Sequence, residues 1–412
     1  MLASLFGTER HLRMNARQNV TPSAAVGRWT DSQLDAFRLI GDVEADAAVA
    51  EVLQDRQLTA SAFFQWVVRN DAPLPADMPA AIAHYFAETE WPAFADPELV
   101  AAGQRVFTKW GPQISLALFC ASLPVGYSAN RIVRVLHSTG ELETNALRRV
   151  FETAQLLFHV LDEGGLGPSG KGIRAAQRVR LMHAGVRHLI AAADADLAEQ
   201  CRIDGRPFQP VWPQEWGRPI NQEDLTGTLL TFTVVVFDAL RKSGVQLSAD
   251  ERAAYMHTWR VIGHFMGIVD EMLPLDEADA RKLWDAEERR QLYRTSTEGH
   301  HMAAALVGAF DKLVPGRGSF LARGLVRYLS GARASDAIGV RRLPWGGHIA
   351  FAAYMRINRL LVREEQHHPH FLNVTGRFQR DLLYGLVNHK QASFAIPDRL
   401  RDHWDLDGVA RD

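Results

Sequence analysis

His183 stands in a proline-free stretch from Ile173 to Ile190, with Arg180 three residues before it and Arg187 four after. The apolar residues of this stretch recur at helical spacing. On a wheel of ~100° per residue, Val179, Val186 and Ile190 fall within ~60° of His183. Arg180 and Arg187 lie on one flank of the same face. The pattern therefore turns an imidazole inward with a guanidinium one turn above it and another one turn below. A buried neutral imidazole needs a partner, and two cations need anions. A haem would supply both, with its iron on His183 and its propionates on Arg180 and Arg187. A core histidine bonded to a backbone carbonyl, beside two arginines whose stems cover apolar surface, satisfies the same wheel. The pattern alone leaves both readings open.

A second face mixes chemistry with aliphatics. With Arg149 as origin, Glu152, Thr153, Leu156 and Val160 lie within ~60°. An amphipathic surface helix segregates such residues, so this face reads as a pocket wall. An exposed Arg149–Glu152 pair at i,i+3 is the plainer alternative.

A rival metal site is also visible. Glu298-x-x-His301, Glu364-x-x-His367 and Glu365-x-x-His368 match the half-motif of di-iron carboxylate bundles. Gly299 and Pro369 place these pairs at helix ends, where histidines also serve the helix dipole. His188 lies ~140° from His183 and cannot share its metal. His137 and His159 are the other mid-helix histidines, and both read most simply as core or boundary residues. Gly165-x-Gly167-x-x-Gly170 and Gly165-x4-Gly170-Lys171 resemble nucleotide loops as strings. Both motifs require a preceding strand, and a helix is expected here instead. The loop reads as a flexible helix–helix connection.

The elements that must position these residues are all helical. Helices are expected at about 31–42, 45–54, 58–70, 77–89 and 97–109, then over 114–123. Others are expected over 130–139, 142–161, 173–190, 221–242, 248–269, 276–313, 317–330 and 345–365, with a further one at 375–388. Asn221 and Ser248 are expected N-caps, and Gly244 a stop. Alternating strands and internal repeats are missing from the pattern. The expectation is an all-α fold, with a variable segment at 1–30, one domain over 31–400 and a tail at 401–412.

The 412 residues carry 47% hydrophobic and 23% charged side chains, the balance of a globular chain. A net charge of −2 offers no electrostatic footprint for nucleic acid. The two cysteines, Cys120 and Cys201, form neither a disulfide framework nor a zinc site. No apolar run reaches the ~18 residues that a transmembrane helix needs. The first residues lack the roughly 7–15-residue apolar core of a secretory signal. A cytoplasmic location is expected on that basis.

Arg180-Leu-Met-His183-Ala-Gly-Val-Arg187 resembles the haem-ligand helix of the latex clearing proteins, rubber oxygenases within a broader family of haem-binding oxygenases. Arg149-x-x-x-Thr153 begins 34 residues earlier, a spacing similar to the family's. Trp216-Gly-Arg-Pro-Ile-Asn-Gln-Glu-Asp224 and Trp259-Arg-Val-Ile-Gly-His-Phe-Met-Gly267 also resemble its landmarks. The resemblance spans roughly residues 110–350.

It implies an all-α fold with a globin-like core and non-covalent haem b. His183 would be the proximal iron ligand, and Arg180 and Arg187 would bind the cofactor. Arg149, Glu152 and Thr153 would form the catalytic pocket, open to O₂ and a small hydrophobic, isoprenoid-like substrate whose carbon–carbon double bond is oxidised. One departure stands out, because Glu152 occupies the position of a lysine in the rubber oxygenases. Glu141 and Glu143 lie where those enzymes carry a proposed base, without a matching motif. A haem sensor or carrier without turnover and a di-iron oxygenase are the competing expectations.

Overall fold

A computed structural model of the chain describes residues 27–54, 66–67, 78–138, 153–313 and 318–367. Every regular element among them is a helix. The first is α1, Asp31–Phe37, where the Thr30 side chain accepts from the Gln33 amide as N-cap. Then come α2 (Val43–Gln54) and α3 (Ala80–Ala87). The expected helix at 58–70 lies almost wholly outside the described residues.

Pro97–Ala117 forms α4, capped by Asp96, and it continues without a break through a π-helical turn, Leu118–Ser122, into α5, Leu123–Tyr127. The sequence pattern divides this stretch near Pro112, yet the helix runs straight past that residue. Packing explains the outcome. α4 lies antiparallel on α11 (Ala249–Phe265), tied by Lys109 to Glu251 at 2.9 Å at one end and by the Asp96 amide to His257 Nε2 at 2.9 Å at the other. Buried contact along such an interface outweighs the one hydrogen bond that a proline removes. At the closest approach a side chain on Gly103 would meet the carbonyl of Ala254 at 2.6 Å as well as the Thr258 hydroxyl. Gly103→Ala is therefore expected to cost about 1–3 kcal/mol by overpacking, read as a lowered denaturation midpoint.

Asn130–Ser138 forms α6, residues 153–161 are helical (α7), and Gly172–Asp204 is the 33-residue α8 that carries His183. It outruns the expected 173–190 because its last turns are polar and half exposed, and it stops at Gly205 with φ 65°. The expected helix at 221–242 is two, α9 (Gln222–Phe232) and α10 (Val234–Ser243), broken at Thr233. There the backbone turns to φ −119°, ψ −81°, and the Thr233 hydroxyl bonds the Leu229 carbonyl at 3.2 Å. Local side-chain bonding of this kind competes with the helix ladder.

Asn221 caps α9 and Gly244 ends α10 with φ 103°. Ser248 and Glu251 form a full capping box at the start of α11. The expected helix at 276–313 is also two, α12 (Glu277–Arg290) and α13 (Thr297–Leu313), separated by Tyr293 at φ 58°. The chain continues with α14 (Gly318–Ser330), α15 (Ala332–Ala337) and α16 (Trp345–His367). The helix expected at 375–388 and the tail at 401–412 lie outside the described residues. No single described helix is long and apolar enough to cross a membrane.

The main core joins α4, its π turn and α5 to α9, α10, α11, α13 and α14. A second cluster fixes α2 and α3 to one side of α8 through Ala45, Val49, Ile82, Tyr85, Phe86, Leu181 and Ala184. A small third cluster joins Val135 of α6, Ile190 of α8 and Trp212, with Val186, Trp216 and Ile220 packed against it.

Candidate functional site

α8 divides its circumference among these clusters. Leu181 and Ala184, roughly 160° and 100° from His183, pack toward α2 and α3. Ala176, ~20° from His183, belongs to the main core, while Ile190 and Val186, within ~60°, belong to the third cluster. His183 is half-buried. On the helix circumference it therefore falls between the residues of the main core and of the third cluster, a seam on the side away from Leu181 and Ala184.

The flanking arginines turn to the other side. Arg180 grips Asp42 in a two-point contact, Nε to Oδ2 at 2.6 Å and Nη2 to Oδ1 at 2.9 Å, and it also reaches Glu44 at 2.9 Å. Arg187 donates from Nε to Asp46 at 2.7 Å and from Nη1 to the Ile220 carbonyl at 3.1 Å. Arg218 adds a third cation, 3.2 Å from Asp46. Three guanidinium groups thus face three carboxylates from the start of α2. Burial pushes Asp46 up, and Arg187 beside it pulls it back down. The Asp42–Arg180 pair is sealed by backbone, for a side chain on Gly267 would meet Arg180 Nε at 2.7 Å. Gly267 already has φ 82°, which glycine adopts without strain.

Gln222 locks the same corner. Its amide nitrogen donates to the carbonyls of Gly41 and Gly267, both at 2.9 Å, and its oxygen accepts from the Val269 amide at 2.9 Å. The two landmark stretches at 216–224 and 259–267 are therefore wiring that seats α2 against α8.

The neighbouring residues of the first landmark form a buried ionic hub that sequence reasoning did not single out. Arg38, 3% exposed, donates to Glu223 at 2.8 Å, to Asp224 at 3.2 Å and to the Trp216 carbonyl at 2.7 Å. Arg290 closes the other side of Glu223 at 2.6 Å. The signal was the run Asn221-Gln-Glu-Asp224, whose carboxylates would be surface residues in an ordinary first helical turn but are buried here.

Glu287 lies fully buried next to this hub and accepts from Gln291 Nε2 at 2.5 Å. Burial first, and then the charge of Glu223, push its carboxyl well above the usual carboxylate range. The folded state therefore holds a proton that the unfolded chain has released, so Glu287 removes stability as pH rises above about 4.5. Glu287→Gln is expected to raise the denaturation midpoint at neutral pH and to flatten its decline above that point. Urea titrations at several pH values check this, and an unchanged slope would contradict it.

Thr153, the first described residue of the helix at 153–161, is exposed. Arg149 and Glu152 lie outside the described residues, as do Glu141, Glu143 and His368. The Gly165–Gly172 loop, expected to be flexible, is tightly folded. The Gly165, Gly167, Gly170 and Gly172 amides all make short-range bonds of 2.8–2.9 Å, and Gln104 bonds the Gly164 amide at 3.2 Å. A helix precedes it, as expected, and its amides are spent internally, which disposes of a phosphate cradle.

Of the di-iron pairs, Glu298 is engaged by Arg134 at 3.0 Å and His301 is exposed. No group of three or more metal-ligating side chains occurs among the described residues. His188 is exposed, away from His183 as the wheel requires.

Comparison with known proteins agrees with this architecture. The family model described as "ER-bound oxygenase mpaB/B'/Rubber oxygenase, catalytic domain" matches residues 105–360. The rubber oxygenase of Streptomyces sp. (strain K30) is 26% identical over 339 residues, covering 79% of this chain and 76% of its own. A solved structure of latex clearing protein in the closed state superposes with a TM-score of 0.68 at 22% identity, covering 88% of this chain and 95% of that one.

Proposed function

This chain belongs to the ER-bound oxygenase mpaB/B' and rubber oxygenase family, and on that premise we propose that it is a b-type haem oxygenase acting on carbon–carbon double bonds of an isoprenoid or polyisoprene-like substrate. The observation that carries the reading is the placement of His183, half-buried on the seam between two apolar clusters of an all-α fold. An imidazole held there by a rigid helix would be able to hold the iron of a haem. When bound, haem iron supplies the chemistry with O₂, which no side chain of this chain can perform alone.

The residues present fit the cofactor on the histidine side. Ala176, Val186 and Ile190 would exclude water beside His183. Arg180 and Arg187 were the expected propionate ligands, and their guanidinium groups are already matched by Asp42, Glu44 and Asp46. Their part in this proposal is to fix the pitch and rotation of α8, and so the position of His183.

Arg149, Glu152 and Thr153 are proposed to line the opposite wall. In that place Glu152 would hold or move a proton at the allylic carbon of the substrate, and the Thr153 hydroxyl would orient it. Incubation of the protein with polyisoprene latex under air tests the reading. Oxygen uptake with carbonyl-ended cleavage products is the expected result. Haem-bearing protein that consumes no oxygen with polyisoprene or shorter isoprenoids would favour a carrier instead.

A further inference from the structure

Arg131 lies on the first turn of α6. It is half-buried, and among the described residues it makes no hydrogen bond or ion pair. The other buried or half-buried arginines around this corner are all engaged. Arg38 holds Glu223 and Asp224, Arg290 holds Glu223 and Asp35, Arg134 holds Glu298, and Arg180 and Arg187 hold the acids of α2. Burial and the neighbouring charge of Arg38 push the Arg131 guanidinium down, and Glu223 and Asp224 only partly oppose them. A half-buried guanidinium in such a place gains most from a carboxylate delivered from outside the protein.

Its position relative to His183 follows from the packing. Arg131 and Val135 are four residues apart and share one side of α6. Val135 packs in the third cluster with Ile190 and Val186, the residues that flank His183 on α8. Ile220 and Trp216 complete that cluster and lead directly into the Arg38–Glu223–Asp224 hub that Arg131 senses. Arg131 therefore stands where the apolar seam beside His183 meets the ionic hub. A ligand lying in that seam, apolar over most of its area and acidic along one edge, would have its acidic edge at Arg131.

We propose that Arg131, rather than Arg180 or Arg187, binds the propionate edge of the haem held by His183. The proposal rests on the haem reading above and adds the residue that would hold the cofactor's acidic edge. Charge balance supports it. Arg180, Arg187 and Arg218 already face Asp42, Glu44 and Asp46, so two propionates added there would leave buried charge unmatched. At Arg131 an added carboxylate meets a cation that makes no ion pair among the described residues and is only partly offset by Glu223 and Asp224.

Titration of the cofactor-free full-length protein with haem and with haem dimethyl ester, followed by the Soret band, tests this. The ester keeps the iron and the apolar surface and removes the carboxylates. The unaltered chain is expected to prefer haem by roughly tenfold or more, the worth of one charge-assisted hydrogen bond. Arg131→Ala and Arg131→Gln are expected to reduce that preference to about onefold while leaving the position of the Soret band, which reports His183, unchanged. Arg131→Lys should restore part of it, and circular dichroism shows whether each variant is folded.

Arg180→Lys and Arg187→Lys, which keep their charges toward α2, are expected to retain the preference. Loss of the preference in either of these with its retention in the Arg131 variants would overturn the proposal. Equal affinity of the unaltered chain for haem and ester would do the same. No Soret band at all with the unaltered chain would overturn the haem reading itself, a result distinct from any of the others.

Discussion

Arg38→Ala is expected to destabilise the protein by about 3–5 kcal/mol, because it removes the one cation shared by two buried carboxylates. Glu223 is 0% exposed and Asp224 4%, so neither can recover hydration when Arg38 is lost. Arg290 would still hold Glu223 at 2.6 Å, and Asn221 Nδ2 would still donate to Asp224 at 2.8 Å. The unmatched charge therefore falls mainly on Asp224, whose carboxyl burial already pushes up. A loss of this size is a large part of the 5–15 kcal/mol or so that holds a typical domain together.

Urea denaturation measures the loss directly, and one below about 1 kcal/mol would show that the hub is a solvated surface pair. A paired change gives a sharper reading. Combining Arg38→Met with Glu223→Gln and Asp224→Asn removes both signs of charge, and is expected to recover much of the stability lost by Arg38→Ala alone. The hub joins α1, the 214–220 connection and α9, the elements that back the third cluster. Its weakening is expected to loosen the seam beside His183 as well, seen as faster amide exchange of α6 in the Arg38→Ala protein.

His183→Ala is expected to abolish stoichiometric cofactor binding and to take oxygen uptake to background. The fold should survive it, since His183 is half-buried and stands between clusters rather than at the centre of one. Added imidazole should restore part of the spectrum by supplying the missing nitrogen. A variant that keeps its iron and its Soret band would remove His183 from the account. A variant that unfolds would show only that the side chain packs, so the circular dichroism spectrum and melting temperature belong to the same experiment.

Much of this was legible in the sequence, for identifiable reasons. The all-α class followed from helical periodicity, and the caps at Asn221 and Ser248 and the stop at Gly244 followed from local chemistry that tertiary structure rarely overrides. The same periodicity set His183 among the apolar residues of its helix, where it is half-buried. Boundaries failed where long-range packing decides. α4 runs past Pro112 as part of a helix tied along its length to α11, whereas the break at Thr233 has a local side, the bond from that residue's hydroxyl to the Leu229 carbonyl.

The partners of Arg180 and Arg187 were not legible. A wheel shows which face a cation occupies, but not that Asp42, Glu44 and Asp46, some 140 residues earlier in the chain, will be brought to meet it. Arg131 was missed for the converse reason. Nothing in the sequence separates an arginine that lacks a partner from one that has one. The landmarks at 216–224 and 259–267 resemble those of the family, and in the structure Gln222 and Gly267 within them help to seat the start of α2 against α8.

The central claim is that this chain holds one haem through His183. Iron analysis of the purified unaltered protein, taken with its absorption spectrum before and after addition of imidazole, tests it most directly. The account predicts one iron per chain and a Soret band that shifts on addition of imidazole. Two irons per chain with no Soret band would contradict it and point to a carboxylate-bridged metal pair.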